Sequence, residues 1–148
     1  MKAVVQRVSR GEVRVDGEVV GRVGAGMVVL LGVLEGDGMA EVERLADKLA
    51  RFRFFEDQDG RMNLAGAEVG AGALVVSQFT LAADGRKGRR PSFDRAAPPG
   101  DAEPLYEAFC RRLAGHGIPV ETGRFGAMME VELVGNGPVT FVLEEAPA

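Results

Sequence analysis

Two uninterrupted apolar runs limit most strongly what this chain can fold into. Residues 26–33 read "GMVVLLGV" and residues 73–79 read "ALVVSQF". Runs of this length that are rich in Val and Leu are typical of strands buried on both faces. Between them, residues 37–55 repeat apolar side chains at helical spacing with charges opposite, and Asp37 is a plausible N-cap. We therefore expect a sheet against which helices pack.

The remaining segments supply more strands and a second helix. Asp16-Gly17 lies in the middle of an alternating pattern and predicts a hairpin turn. A second amphipathic helix is expected to begin at Asp101 and to end near Gly115. Further strands are expected at residues 2–9, 12–23, 118–123, 127–134 and 138–144. The prediction is a single domain over residues 1–148, of mixed α/β class, with a mixed β-sheet, two main helices and the order ββββαβαβββ.

Composition excludes several classes of function. A single cysteine, Cys110, excludes an internal disulfide, and with the single histidine, His116, it cannot form a Cys/His zinc site. P-loop and G-x-G-x-x-G signatures are also absent, so we expect no nucleotide binding through such loops. We expect no metal and no cofactor. We expect a cytoplasmic protein with no membrane partner, because no signal-peptide pattern or membrane-length apolar run is present. The net charge of −4 argues against nucleic-acid binding through bulk positive charge.

Residues 82–100 form an unusually long connection that is rich in basic side chains. Within it lie five cations and an interleaved aromatic, namely Arg86, Lys87, Arg89, Arg90, Arg95 and Phe93. Connections of this length are usually functional or disordered. Such a composition suits contacts with phosphates and stacking on a single-stranded base. The alternative is a solvated, mobile surface loop.

A polar segment follows the second apolar run, where "VVSQFTLAAD" places Ser77, Gln78 and Thr80 at the end of a buried strand. Such side chains either satisfy nearby backbone groups or line a ligand site, and both interpretations remain open. A hydroxyl nucleophile needs a neighbouring base, yet His116 lies in a glycine-flanked loop typical of an exposed surface residue. Any catalysis would rely on backbone donors, hydroxyls or a group of the substrate.

Several short motifs together resemble one family. They are "QRV" at 6–8, "MNL" at 62–64, "VVSQFTLAAD" at 75–84, "RPSF" at 90–93, "TGRF" at 122–125 and "GPVTF" at 137–141. In this order and spacing the chain resembles the D-aminoacyl-tRNA deacylases, formerly called D-tyrosyl-tRNA deacylases. The resemblance implies that family's fold and a cytoplasmic homodimer with shared active sites. It also implies chiral proofreading in translation, by hydrolysis of D-aminoacyl-tRNA and of glycine mischarged on alanine tRNA.

The resemblance also implies roles for individual residues. Ser77, Gln78, Phe79 and Thr80 match the family segment that lines the catalytic pocket. Gly137 and Pro138 match a Gly-cis-Pro dipeptide that enters the partner's active site and rejects L-amino acids, and Arg7 matches an arginine that steadies it. From the turn alone we would expect a trans bond, since only about 5–6% of X-Pro bonds are cis.

Two alternatives remain open beside the interpretation from the family. In one, Thr80 is a covalent nucleophile. In the other, the protein is a noncatalytic RNA-binding module whose basic side chains Arg86, Lys87, Arg89 and Arg90 contact the nucleic acid. Whether the protein is a deacylase or an RNA-binding module, these four residues are the candidates for binding tRNA phosphates. The preferred D-amino acid and any role of His116 do not follow from the sequence.

Overall fold

The chain folds as a mixed α/β domain, and the computed structural model describes all residues from Met1 to Ala148. The strands are β1 (Lys2–Val15), β2 (Glu18–Val23), β3 (Gly26–Gly32), β4 (Phe55–Glu56), β5 (Met62–Leu64), β6 (Gly72–Ser77), β7 (Val120–Thr122) and β8 (Glu130–Glu144). The helices are α1 (Met39–Arg51) and α2 (Pro99–Ala114), with short 3-10 helices at Gly66–Val69 and Phe79–Ala82. The predicted class and the two helices are confirmed. The predicted element order is wrong, because the chain runs βββαβββαββ.

One mixed sheet of six strands forms the centre of the fold. Its strand order is β2-β1-β3-β6-β7, and β8 pairs with β1. β1 is antiparallel to β2, β3 and β8, whereas β3, β6 and β7 run parallel. β4 and β5 form a separate two-stranded sheet. Because β3 and β6 are parallel neighbours, their carboxyl ends meet at one edge of the sheet.

β1 is a single long strand, so the predicted break after residue 9 is wrong. Residues 2–8 pair with β3 and residues 11–15 pair with β2, while β8 pairs along both halves. Because β8 pairs with β1 on both sides of this point, β1 continues through Arg10 and Gly11. The hairpin predicted at Asp16-Gly17 is confirmed, and both residues have the positive φ angles, 51° and 80°, that a two-residue hairpin turn requires.

β8 is also continuous, so the turn expected between residues 134 and 138 is wrong. Its two halves pair with the same strand, since Gln6 lies opposite Thr140 and Val8 lies opposite Gly135. Residues 136–139 therefore face Arg7 alone and form a bulge in β8. The Gly137–Pro138 peptide bond within this bulge is cis. A bulge has no regular ladder bond to lose, which is why it accommodates a proline.

The boundaries of α1 differ from those predicted. The N-cap is Gly38 rather than Asp37, and the Glu41 carboxylate accepts the Gly38 N–H at 2.7 Å. Asp37 instead accepts the N–H of Leu34 at 2.7 Å, so its carboxylate is committed to the preceding turn. The helix ends at Arg51 rather than near Phe55, which begins β4. α2 begins at Pro99, two residues before Asp101, and its predicted end near Gly115 is confirmed.

Both faces of the central strands are covered. The main core lies between the sheet and the two helices, and includes Val5, Val29 and Val75. A smaller cluster on the opposite face contains Val8, Val13, Val28, Leu74 and Val76. This arrangement explains why β3 and β6 are almost uninterrupted apolar runs. Neither α1 nor α2 combines the length and the apolar character that crossing a membrane requires.

Candidate active site

The segment after β6 turns across the end of β3. The Gln78 N–H donates to the Leu31 carbonyl at 2.8 Å, and the Leu81 N–H donates to the Gln78 carbonyl at 3.2 Å. The main-chain N–H groups of Phe79 and Thr80, which open the 3-10 helix, donate no hydrogen bond within the chain. Two unpaired donors therefore lie next to each other at the carboxyl edge of the sheet.

A cavity of about 640 Å³ opens beside this segment. Its walls come from β6, from the segments around Pro98 and Phe125, and from the start of β8. The lining includes Ser77, Gln78, Phe79, Pro98, Ala102, Phe125, Met129 and Val131. None of its lining residues carries a charge. The cavity thus offers apolar surface with a few hydrogen-bonding groups, as small-ligand sites usually do.

Thr80 differs from its neighbours in that it does not line this cavity. Its hydroxyl oxygen accepts a hydrogen bond from the Gln78 side-chain amide. No histidine, lysine or carboxylate contacts the Thr80 hydroxyl, so the chain places no base beside it. The geometry favours a supporting role for Thr80 over that of a nucleophile.

The basic connection has more structure than an unconstrained loop. Asp84 and Ser92 exchange main-chain hydrogen bonds of 2.8 and 2.9 Å, which makes residues 84–92 a hairpin-like excursion that we call the basic loop. Just beyond it, Phe93 packs against Phe79 in a T-shaped contact, with ring centroids 5.2 Å apart. The basic loop is therefore joined to the wall of the cavity.

The cations of the basic loop are not equivalent. Arg86 forms an ion pair with Asp84, with Nη2 and Oδ2 2.6 Å apart, and the Arg86 guanidinium lowers the pKa of Asp84 to about 2. Lys87, Arg89 and Arg90 are exposed and form no ion pair. These three side chains have their full charge available for an anionic ligand.

Arg7 lies away from the large cavity and supports the bulge of β8. It is 6% exposed, and its Nε donates to the Asn136 carbonyl at 3.1 Å while Nη1 donates to the Phe54 carbonyl at 3.0 Å. Arg7, Glu56 and Asn136 line a second cavity of about 240 Å³. Gly137 and Pro138 are exposed and do not line the large cavity of their own chain. The structure thus separates the two sequence motifs within the chain.

Comparison with known proteins identifies the family. The model of the family described as D-Tyr-tRNA(Tyr) deacylase matches residues 4–144. The chain belongs to this deacylase family. The D-aminoacyl-tRNA deacylase of Anaeromyxobacter dehalogenans strain 2CP-C is 62% identical over 144 residues, which is 97% of each chain.

Solved structures share the deacylase fold. One, described as the c-Myc DNA Unwinding Element Binding Protein, matches with a TM-score of 0.92 and 39% identity over all of both chains. Another comes from the structural analysis of a probable eukaryotic D-amino acid tRNA deacylase, with a TM-score of 0.81 and 18% identity. That match covers 96% of this chain and 97% of the other, and at this identity it shows the fold alone.

His116 and Cys110 take structural positions in this deacylase. His116 is half-buried, and its Nε2 lies 2.7 Å from Asp47 Oδ1. Arg112 also binds Asp47 with two hydrogen bonds, and Arg112 followed by His116 holds the pKa of the Asp47 carboxyl well below its usual range. Burial raises the pKa of the Cys110 thiol to about 11, so the thiol stays protonated at neutral pH. Neither residue lines the cavity.

Sequence reasoning missed most of the cavity wall of this deacylase. Pro98 and the segment of Phe125 and Met129 are far apart in the chain from each other and from Ser77, and no periodicity marks them. The "TGRF" motif at 122–125 contributed to the resemblance without suggesting a role for Phe125. No sequence pattern pointed to Met128, which lines the cavity and is 92% exposed.

Proposed function

We propose that the chain hydrolyses the ester bond between a D-amino acid and the 3′-terminal adenosine of tRNA, releasing free amino acid and tRNA. Membership of the deacylase family supports the reaction class. The observation that carries the proposal is the uncharged cavity beside Ser77, Gln78 and Phe79, at the carboxyl edge of the sheet. It has the volume for a nucleoside ester, and its lining contains no cation that would repel the substrate's ammonium.

Catalysis is substrate-assisted in this proposal. Water adds to the ester carbonyl carbon. The water's proton passes to the neighbouring ribose 2′-OH, because the cavity supplies no base. The N–H group of Phe79, which lines the cavity, donates to the oxyanion of the tetrahedral intermediate, and the unpaired N–H group of the next residue, Thr80, supports it. The bond to the ribose 3′ oxygen then breaks, and that oxygen takes up the proton. An aminoacyl ester is already activated, so positioning and oxyanion stabilisation suffice.

A homodimer with shared sites completes the proposal. Gly137 and Pro138 are exposed on β8, the strand whose Val131 lines the large cavity. Val131, Val134 and Val142 of the same strand expose 39%, 40% and 60% of their surface, which favours a partner along this edge. The partner's dipeptide would then enter the cavity.

The main-chain carbonyls of that dipeptide would occupy the space that an L-side chain needs. A D-side chain points away from it, and glycine has no side chain to exclude. Rejection by backbone therefore permits many D-amino acids and glycyl-tRNA while it excludes L-aminoacyl-tRNA.

The basic loop supplies the contact with tRNA in this proposal. Lys87, Arg89 and Arg90 present unpaired charges next to the cavity wall, and Arg86 adds a charge shared with Asp84. Local positive charge can bind phosphates although the total charge of the chain is −4. Since the substrate is aminoacyl-tRNA, we place the activity in the cytoplasm.

The purified protein tests the reaction directly. D-tyrosyl-, L-tyrosyl- and glycyl-tRNA are each incubated with it, and release of the amino acid is followed. We expect hydrolysis of the D-tyrosyl and glycyl esters and protection of the L-tyrosyl ester. Comparable cleavage of L-tyrosyl-tRNA contradicts the steric mechanism, and tRNA binding without any turnover would establish the noncatalytic RNA-binding module instead.

A second experiment separates the two roles of Thr80. Replacing the terminal ribose 2′-OH by hydrogen should lower the rate by orders of magnitude, whereas Thr80→Ala should retain measurable turnover. An acyl-enzyme trapped on Thr80 would establish the covalent alternative.

A further inference from the structure

Gly32 ends β3 directly beneath the proposed catalytic segment. β3 and β6 are parallel neighbours, with Leu31 opposite Ser77, so both strands end at the same level of the sheet. The chain then crosses from β6 over the end of β3, where the Gln78 N–H bonds to the Leu31 carbonyl at 2.8 Å. The position of the 3-10 helix Phe79–Ala82 is thus set by its contact with this strand end.

The space at Gly32 admits no side chain. A Cβ built there lies 2.9 Å from the Leu81 Cβ and 3.1 Å from the Gln78 carbonyl oxygen. Contacts this short force atoms apart, and the Leu81 Cβ cannot rotate away because it is bonded to the main chain. The φ of Gly32 is not in the left-handed region, so close approach explains the glycine, not its backbone conformation.

We propose that Gly32 is a positioning residue for hydrolysis, an inference that rests on the proposed function of the 77–80 segment. The missing side chain lets the 3-10 helix lie against β3, which fixes the two unpaired N–H groups of Phe79 and Thr80 relative to the cavity. Any side chain at position 32 displaces the helix and moves these donors away from the oxyanion. The direct effect falls on the chemical step, because the atoms nearest the added Cβ belong to Gln78 and Leu81 and not to the basic loop, which begins at Asp84.

Gly32→Ala, with Gly72→Ala as the matched control, tests this role. A Cβ at Gly72 would lie 3.0 Å from Val23 Cγ2, a milder crowding by a side-chain methyl that can rotate, at the opposite end of β6. For Gly32→Ala we expect kcat to fall by about 10- to 100-fold with KM within about 3-fold of wild type, since misplaced oxyanion donors cost roughly this much. Gly72→Ala should keep the wild-type kcat even if its Tm falls. An unchanged kcat in Gly32→Ala, or equal losses in the two variants, overturns the proposal.

A double-mutant cycle keeps the test decisive if Gly32→Ala folds poorly. Leu81→Gly removes the Cβ that crowds position 32, so Gly32→Ala should cost several-fold less in kcat in that background than in wild type. The same loss in both backgrounds refutes the mechanism.

Hydrogen exchange at the Gln78 main-chain amide measures displacement of the 3-10 helix independently of activity, because this amide bonds to the Leu31 carbonyl. Exchange should be faster in Gly32→Ala and unchanged in Gly72→Ala, and unchanged exchange in both contradicts the proposal. Wild-type protein that hydrolyses no D-aminoacyl-tRNA would instead refute the proposed function, a result distinct from either outcome.

Discussion

Arg7 Nε donates a hydrogen bond to the Asn136 main-chain carbonyl at 3.1 Å, across the bulge of β8. The same guanidinium donates to the Phe54 carbonyl and lies 3.5 Å from Glu56 Oε1. One buried side chain therefore fixes the residue before Gly137 to the segment that joins α1 and β4. The planar guanidinium suits this task because its donors point in several fixed directions.

Arg7→Lys should lower stability and weaken chiral selection together. An ammonium on a flexible stem cannot reach both carbonyls in the geometry of the guanidinium, and a buried acceptor left unpaired costs about 1–3 kcal/mol. We expect a loss of this size in urea denaturation and a higher ratio of L- to D-tyrosyl-tRNA hydrolysis. Glu56→Gln serves as the control and should change stability little. It alters only the 3.5 Å contact with Arg7, and the Glu56 side chain is 56% exposed. An Arg7→Lys protein with wild-type stability and selectivity would contradict this role.

Neutralising Arg89 or Arg90 should weaken tRNA binding and flatten its salt dependence. For each phosphate that the protein no longer neutralises, the slope of log K against log salt falls by about one unit on the duplex scale. Arg86→Gln provides the comparison within the same loop, because the ion pair with Asp84 already offsets its charge. We expect a smaller change in slope for Arg86→Gln than for Arg89→Gln or Arg90→Gln, measured by binding titrations at several salt concentrations. If all three variants keep the wild-type affinity and the wild-type slope, the basic loop is only solvated surface.

Val142→Asp should convert the proposed dimer into monomers. The side chain is 60% exposed on β8, and a carboxylate buried in an apolar interface without a partner is strongly unfavourable. Light scattering should report the mass of one chain, and hydrolysis should lose its stereoselectivity since the partner's dipeptide is absent. Val19→Asp changes an equally apolar side chain, 39% exposed on β2, and should leave the mass unchanged. A wild-type protein that is monomeric at assay concentrations would rule out the shared site.

Asp47→Asn should lower stability at neutral pH and reduce its loss in acid. Arg112 and His116 hold the pKa of Asp47 below its ordinary value, so the folded state favours the ionised carboxylate. This contribution is fully present above the unfolded-state pKa, near 4, and disappears as pH falls through the lowered folded-state pKa. The expected change is a decrease in Tm of about 2–4 °C at pH 7 that becomes progressively smaller as the pH falls below about 4. Thermal melts across this range measure it, with Glu103→Gln, which removes an exposed and unpaired α2 carboxylate, as the control.

The two longest strands show where local pattern failed. Gly11 and the Gly135–Pro138 stretch resemble breaks, and an interpretation limited to local propensity divides β1 and β8 at these points. Each strand continues because the other pairs with it on both sides of the irregularity, and Arg7 contacts the bulge through a residue 129 positions away. A bulge exists only where two strands pair, so the local sequence of β1 or of β8 by itself does not predict it.

The sequence by itself determined the buried strands β3 and β6, the hairpin at Asp16-Gly17 and the two amphipathic helices. Short-range periodicity and turn chemistry encode such features. The resemblance carried by "SQFTL" and "GPVTF" located the candidate site in the chain. Only the tertiary structure decided that Pro98, Phe125 and Met129 complete a cavity with Ser77, and that Gly32 must lack a side chain beneath Leu81. These relationships depend on how distant segments pack, because close packing fixes distances that no local pattern specifies.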